Sequence, residues 1–248
     1  MLILLGLLSV VTGVLIGASG VGGVLLIPLL AYFGGLSIHG SMGTALFSFF
    51  FTGVIATITY QRYGSIDWKI TLPVCGGSLL TSYLGAQVNA YTDAMILYVI
   101  LGAIIVLSSY FALRPLKGTN VADRLGPRGR FNTLLAVGLG VGFLCGLTGI
   151  GGGLVSIPVM LILGFHPLAS IGTSQVLQSI VAISGSISNI ANGFVDFGLV
   201  WWVTLLELLG VGIGVRIAHK VPVQTLKTCV STLCLIFGVY MIIKAFML

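Results

Sequence analysis

Long apolar runs follow one another along the chain, separated by short stretches that are polar or rich in glycine. Apolar residues are continuous within the runs and do not alternate with polar ones, as they would in the strands of a membrane barrel. A helix needs about 20 such residues to cross the hydrocarbon core of a bilayer. Six runs approach that length, at about 41–62, 69–88, 94–113, 171–191, 199–217 and 223–246. The pattern therefore predicts an all-α, polytopic membrane protein.

The same arrangement of runs occurs twice, and the second copy follows the first at an offset of 129 residues. Twelve residues are identical at that offset, which is typical of an internal duplication. In the first copy they are Gly20, Gly22, Gly23, Gly35, Ser41, Gly43, Thr44, Gly64, Asp67, Leu79, Leu80 and Gly85. We predict a first transmembrane repeat at 1–113, a linker at 114–130 and a second repeat at 131–248.

Each repeat begins with an apolar run (2–18 and 131–147), a glycine-rich break and a second, short run (24–34 and 154–164). Three full spans follow. A helix rises 1.5 Å per residue, so a run of about eleven residues reaches only about half of a 30 Å core. We expect each break to lie in a broken or re-entrant helical hairpin, with the first run a part of the fold rather than a cleaved signal.

Composition agrees with a membrane protein, since 57% of the residues are hydrophobic, 6% are charged and the mean hydropathy is +1.17. Soluble domains carry roughly 25% charged residues. The net charge of +6 comes from basic residues scattered at the ends of apolar runs, which argues against a nucleic-acid partner. The four cysteines lie inside apolar runs without a CxxC pair, so we expect neither a disulfide framework nor a metal site, and no cofactor.

Basic residues predict the orientation of the repeats, because they collect in cytoplasmic loops. The linker contains Arg114, Lys117, Arg124, Arg128 and Arg130 against one acid. The loop near Gly64 carries two basic residues while its counterpart near Gly193 has none, and the reverse holds for the loop near Asp93 and its counterpart near Lys220. Equivalent loops are thus expected on opposite sides, in an inverted-topology repeat. The linker is then cytoplasmic, both termini lie outside, and Lys244 is the one basic exception among eleven.

The two glycine breaks are the strongest candidates for a binding site. Glycine permits sharp turns and lets backbone amides approach a ligand, and the helix that follows starts with free N–H groups and a positive dipole end. Two inverted breaks would direct two such ends at one point near the midplane. The candidate residues are Gly20, Gly22, Gly23, Gly149, Gly151, Gly152 and Gly153. Close helix packing is the alternative explanation, and it is the one we favour for Gly138 and Gly142.

A second repeated element, Gly-Thr, opens the next span in each repeat and adds Thr44, Thr173 and Ser174 to the candidates. In the second repeat this span continues with a polar stripe that includes Gln175 and Gln178, whereas the first repeat has Leu46 and Phe49 at those positions. A polar stripe in a membrane helix faces a cavity or another helix. Hydrogen bonding between helices, without a ligand, is the alternative.

Glu207 is the only acid deep inside a predicted span, and an intramembrane carboxyl is by default a candidate for proton or cation coupling. It has only Ser78 at the equivalent position and lies outside the repeated elements. We therefore favour a uniporting exporter in which Glu207 is dispensable, with the carboxyl a protonated packing group. Proton-coupled uptake, for which Glu207 would be essential, is the alternative. The three histidines lie near predicted span ends and are expected to be interfacial rather than metal ligands.

The motifs Gly149-Ile-Gly-Gly-Gly153, Pro158 and Gly172-Thr-Ser174, with their echoes at Gly20-Val-Gly-Gly23, Pro28 and Gly43-Thr44, resemble the TauE/SafE family of sulfite exporters and sulfonate permeases. The resemblance covers nearly the whole chain. It implies a plasma-membrane transporter of a small anion such as sulfite or an organosulfonate. The second copy fits the family pattern better, since the first has Val24 and Ala45 in place of a glycine and a serine.

The resulting hypothesis is a secondary transporter or facilitator of a small sulfur-containing anion, bound near the midplane by the glycine breaks. Its partners would be this anionic substrate and the lipid bilayer, and its oligomeric state stays open. A non-transporting membrane subunit is the first alternative. An intramembrane enzyme is the second and weaker one, because the sequence shows neither an HExxH motif nor a paired intramembrane aspartate.

Overall fold

A computed structural model of the protein describes residues 2–113, 126–221 and 223–247. Helices form most of this part of the chain, and no strand occurs in it. The first repeat contains α1 (Leu2–Ser19), a 3₁₀ helix (Gly22–Leu25), α2 (Leu26–Phe33), α3 (Ile38–Arg62), α4 (Trp68–Ala90) and α5 (Ala94–Leu113). The second contains α6 (Pro127–Thr148), α7 (Gly153–Ile162), α8 (Pro167–Ala191), α9 (Phe197–Ala218) and α10 (Val223–Ala245). Except for 126–130, the predicted linker lies outside the described residues.

The prediction of an all-α, polytopic membrane protein is confirmed. In the described residues α3, α5, α6 and α9 are both long and apolar enough to cross a membrane. Helices α4, α8 and α10 have 23, 25 and 23 residues, a length that also suffices to span a bilayer. Helices α2 and α7 have only 8 and 10 residues, so they extend about 12 and 15 Å, or half of the hydrocarbon core.

The duplication is visible in the backbone as well as in the sequence. The described residues with positive φ are all glycines, and they form three pairs at the repeat offset: Gly20 and Gly149, Gly35 and Gly164, Gly64 and Gly193. Asp67 and Asp196, another repeated pair, both cap the helix that follows by accepting hydrogen bonds from backbone amides. Several of the repeated residues therefore recur because they shape the same turn twice.

The two repeats interlock instead of forming separate bundles. Helix α1 packs along α9 of the other repeat, and its equivalent α6 packs along α4 in the same manner. Glycines make these contacts close: Gly13 lies against the backbone of Glu207, and Gly142 lies against Ser78 of α4. Gly138 likewise lies against Val74, so the packing role predicted for Gly138 and Gly142 is confirmed.

Equivalent helices cross the molecule in opposite directions. Three contacts between α3 and α8 run in opposite order along the two helices: Leu46 with Gly185, Phe49 with Gln178, and Gly53 with Gln175. Helices α5 and α10 behave alike, since Tyr98 contacts Lys244 while Ile105, farther along α5, contacts Gly238. Antiparallel equivalents are what an inverted repeat requires.

The short helices return to the side from which they came. Gly6 in α1 lies beside Trp202, and Gly34 after α2 lies beside Leu199, so α1 begins and α2 ends near the first turns of α9. In the second repeat Arg130, at the start of α6, lies 5.3 Å from the ring centroid of Phe165, just after α7. Both breaks are therefore the tips of re-entrant hairpins that enter from opposite ends of the molecule.

Candidate functional site

The tips of the two hairpins meet in the middle of the molecule. The carbonyl oxygen of Gly20 occupies the place where a Cβ atom of Gly153 would lie, so only glycine allows this approach. Gly20 and Gly149 end α1 and α6 in the left-handed conformation, with φ of 73° and 66°. The tips contact Phe49 and Gln178, each the twelfth of 25 residues in its helix. The two breaks thus meet at one point, about halfway along α3 and α8.

The second break presents unpaired backbone donors. Gly152 caps α7 without a side-chain hydrogen bond, and Ser156 N donates to the Gly152 carbonyl at 3.2 Å. In the described part of the chain the amides of Gly151, Gly152 and Gly153 have no acceptor, although these residues are buried. Buried N–H groups without a partner are rare. Combined with the positive end of the α7 dipole, they form the kind of site that binds anions.

Two glutamines of α8 border the second break. Gln178 Oε1 lies 2.8 Å from the Cβ position of Gly151, and Gln178 Nε2 donates to Thr52 Oγ1 at 3.0 Å. Gln175 Nε2 donates to the Ile16 carbonyl at 3.0 Å, while its Oε1 is buried without a partner. Both side chains are at most 1% exposed. Each amide therefore links α8 to the first repeat, and Gln175 retains an oxygen that no described residue satisfies.

Ser174 and Ser156 supply hydroxyl groups to the same region. Ser174 Oγ lies 2.5 Å from the Cβ position of Gly20 and donates to the Ile171 carbonyl at 2.7 Å. Ser156 is fully buried, and its Oγ has no hydrogen-bond partner. It was not among the sequence candidates. The signal that could have found it is a polar residue one helical turn after Gly152 in an apolar run, on the same helix face.

The first break is closed by apolar side chains. The ring of Phe49 lies 2.7 Å from the Cβ position of Gly23. In the second repeat Gln178, the counterpart of Phe49, lies beside Gly151, and Leu177 lies beside Gly152. The first break forms a 3₁₀ helix from Gly22 to Leu25, in which the amide of Gly23, like that of Gly152, has no acceptor among the described residues. Val21 N donates to Ser19 Oγ at 3.3 Å, and Val24 N donates to the Val21 carbonyl at 3.4 Å. The first break therefore offers fewer free donors than the second.

The repeated threonines lie outside the meeting point of the tips. Thr44 Oγ1 accepts a hydrogen bond from Asp196 N at 3.0 Å, and Thr173 Oγ1 is 2.8 Å from Thr71 Oγ1. The glycines before them pack on the same loops, Gly43 against the Phe194 carbonyl and Gly172 against the Ser65 carbonyl. In this conformation each Gly-Thr element connects one repeat to the equivalent loop of the other.

The remaining ionisable candidates are distributed as follows. Glu207 is fully buried between α1, α3 and α9, away from the glycine tips by one helix. His39, His166 and His219 lie at helix ends, where they contact the Thr92 carbonyl, cap α8 and contact Ser65, respectively. Among the described residues no three His, Cys, Asp or Glu side chains converge in a way that could hold a metal ion.

Comparison with known proteins adds an independent finding. The sequence profile of the Sulfite exporter TauE/SafE family matches residues 3–242. Two similar proteins of Bacillus subtilis (strain 168) are described as probable membrane transporter proteins: YdhB, 28% identical over 88% of this chain and 91% of its own length, and YunE, 28% identical over 97% and 96%. A probable membrane transporter protein of Methanocaldococcus jannaschii, MJ0441, is 25% identical over 98% and 95%. No solved structure matches the chain.

Proposed function

Because the chain belongs to the sulfite exporter TauE/SafE family and is a membrane transporter, we propose that it moves a small sulfur-containing anion across the plasma membrane. The observation that supports this substrate class is the set of buried, unpaired amides at Gly151–Gly153. A tetrahedral or pyramidal oxyanion has several acceptor oxygens close together. It can therefore take hydrogen bonds from adjacent amides of a helix N-terminus.

The anion is held mainly by the second break. The amides of Gly151, Gly152 and Gly153 donate to it, and the hydroxyl of Ser156 adds one more donor. Gln175 and Gln178 reach the site from α8, and an amide side chain can present its NH₂ group to an anion once it leaves its present acceptor. Gly20, Gly22 and Gly23 form the opposing wall together with Gly149 and Ser174. Thr44 and Thr173 contribute indirectly, by fixing the loops that connect the repeats.

The re-entrant hairpins suggest how the site reaches both aqueous phases. One hairpin enters from each end of the molecule, and their tips meet near the middle of α3 and α8. A movement of one hairpin tip relative to the other would open the site to one side while the other side stays closed. Alternating access in inverted repeats commonly follows such a rocking of one unit against the other. In this orientation the linker faces the cytoplasm and both termini lie outside.

Transport by the purified protein in liposomes is the decisive test. Radiolabelled sulfite, sulfate, sulfoacetate, taurine and chloride are loaded in turn, and flux is compared with protein-free liposomes and with liposomes that contain Gly151→Leu. We expect at least one sulfur oxyanion to move faster than chloride, and the variant to match the protein-free control. Flux of none of the sulfur compounds, from protein that is folded and inserted in both orientations, would contradict the proposal.

A further inference from the structure

Glu207 occupies a three-helix junction at the depth of the glycine tips. It is the eleventh of 22 residues in α9, and Ser48, its neighbour in α3, is the eleventh of 25. The Glu207 carboxyl is fully buried. It accepts hydrogen bonds from Thr12 Oγ1 of α1 at 3.3 Å and from Ser48 Oγ of α3. A carboxyl group is therefore held in the middle of the membrane by hydroxyl donors alone.

No described cation compensates this carboxyl. Helix α1 has no ionisable side chain, and the basic residues of α3 and α9, His39, Arg62 and Arg216, are at least nine positions from Ser48 or Glu207 along those helices. The other ionisable groups of α3 and of the α9 cap, Tyr60, Tyr63 and Asp196, are equally far along the chain from the junction. An unpaired charge at such a depth is costly. The site accommodates it best when the carboxyl can bind and release a proton.

The surrounding hydroxyls can serve both protonation states. Thr12 Oγ1 has a second acceptor, the Ser9 carbonyl at 2.8 Å, and a hydroxyl has only one proton to donate. Thr12 can thus donate to ionised Glu207 or turn to Ser9 when Glu207 is protonated. Ser48 can donate to the carboxylate or accept the proton of the carboxylic acid. Neither change requires a helix to move.

Helix α3 connects this junction to the anion site. Ser48 precedes Phe49, whose ring closes the first break and whose carbonyl lies 3.5 Å from Gln178 Nε2. Thr52 lies one helical turn farther along the same face of α3 and accepts the hydrogen bond of Gln178 at 3.0 Å. Ser48 and Thr52 are four residues apart, so one face of α3 borders both the carboxyl and the glycine tip.

We propose that Glu207 is a proton-binding site coupled to the anion site through the face of α3 that borders both, so that a proton and the anion cross together. The inference rests on the proposed transport function. The carboxylate gains a proton from water on the side where the anion enters, and the O–H bond breaks again on the other side, where the anion leaves. The first repeat has no counterpart of this carboxyl, since Ser78 stands at the equivalent position and donates to the Cys75 carbonyl.

Thermodynamic linkage gives the expected size of the effect. A bound anion and a bound proton at the same depth attract each other, so each must raise the affinity for the other by the same factor. Coupling to one proton changes the affinity for the anion by at most tenfold per pH unit. The parent protein should therefore bind the anion more tightly as the pH falls, and Glu207→Gln should bind it with an affinity that does not depend on pH.

The experiment uses sulfate or sulfoacetate, whichever the liposome panel shows to be carried, because the charge of both is constant between about pH 6 and pH 8. Uptake into liposomes is measured with an inward proton gradient at zero membrane potential, and exchange is measured separately with the anion on both sides. Glu207→Gln is compared with Thr204→Val. The latter removes a buried hydroxyl of α9 that has no hydrogen-bond partner.

We expect the proton gradient to drive accumulation by the parent and by Thr204→Val, whereas Glu207→Gln should lose accumulation and retain exchange. If uptake by the parent does not respond to the proton gradient, the inference is overturned and the proposed function stays intact. This measurement needs no variant, so it holds even if Glu207→Gln does not fold. The absence of flux of every anion would overturn both.

Discussion

The two glycine breaks have the same backbone design and different surroundings. Both follow a helix that ends at a left-handed glycine, and both form the tip of a re-entrant hairpin. At the first tip the ring of Phe49 fills the space beside Gly23, and the amides of Val21 and Val24 have acceptors. At the second tip Gln178 stands at the equivalent place, and the amides of the break are buried and unpaired. The duplication thus provides the scaffold twice, and a few side chains distinguish the copy that we propose as the site.

The comparison of the two breaks depends first on the inverted arrangement of the repeats. Cysteine labelling tests this arrangement, and its outcome is all or none. Single cysteines at Gly118 and Asn192, in a background in which the native cysteines are replaced, should react with an impermeant thiol reagent from opposite faces of the membrane. The reason is that the linker and the loop after α8 are expected at opposite ends. Reaction of both positions from the same face of intact cells would contradict the inverted topology.

Within that frame, Gly151→Leu should have the largest effect on binding. A Cβ atom at Gly151 already lies 2.8 Å from Gln178 Oε1, so a leucine side chain would fill the space assigned to the anion. We expect the affinity for the transported anion to fall on the order of a hundredfold, measured with labelled anion on purified protein, because overpacking costs about 1–3 kcal/mol.

Gly142→Leu is the matched control for this prediction. The Cβ position of Gly142 lies 2.7 Å from Ser78 Cβ, in the contact between α6 and α4. This variant should therefore lower expression and the thermal stability of the detergent-solubilised protein. If both glycine variants fold and bind like the parent, the second break is not the site.

Leucine substitutions at the equivalent positions Gln178 and Phe49 should distinguish the two breaks. The expected loss of affinity is smaller than that for Gly151→Leu. Gln178→Leu removes an amide group beside the second break, and a hydrogen bond to a charged group contributes about 1.5–3 kcal/mol. We expect roughly a tenfold loss of affinity for the anion. Phe49→Leu at the first break should cost about 1 kcal/mol of stability and change the affinity less than twofold. Equal losses of affinity in the two variants would show that both breaks bind the anion.

Among the variants of the second break, Ser156→Ala should lower the affinity for the anion least. It also tests most directly whether this one side chain belongs to the site. The Ser156 hydroxyl is buried without a partner, so its removal costs no hydrogen bond in the anion-free protein. We expect unchanged or slightly higher thermal stability and an affinity that falls severalfold. Ser186→Ala removes another buried, unpartnered hydroxyl outside the site and should leave the affinity unchanged. If Ser186→Ala lowered the affinity for the anion as much as Ser156→Ala, the Ser156 hydroxyl would not be part of the proposed site.

The amino-acid pattern alone predicted much of the architecture, for physical reasons that act locally. Lipid cannot satisfy free backbone groups, so continuous apolar runs of about 20 residues must be helices. The predicted runs and the observed helices accordingly agree to within a few residues, for example 199–217 with Phe197–Ala218. Glycine runs at equivalent positions predicted the hairpin tips. The third glycine of the second run, Gly153, proved necessary because the Gly20 carbonyl occupies the space beside it.

Only the tertiary structure decided which break has more free donors and what each polar side chain contacts. The contact between Gln178 and Thr52 joins residues 126 positions apart, and that between Thr44 and Asp196 joins residues 152 apart. Thr44 belongs to a repeated motif and was expected near the anion, yet its hydroxyl binds a loop of the other repeat. Ser156 belongs to no motif and lies at the unpaired amides. The local sequence pattern shows that a residue must be buried in the bundle. Its hydrogen-bond partner, however, lies on another part of the chain, whose position is set by the packing of all the helices.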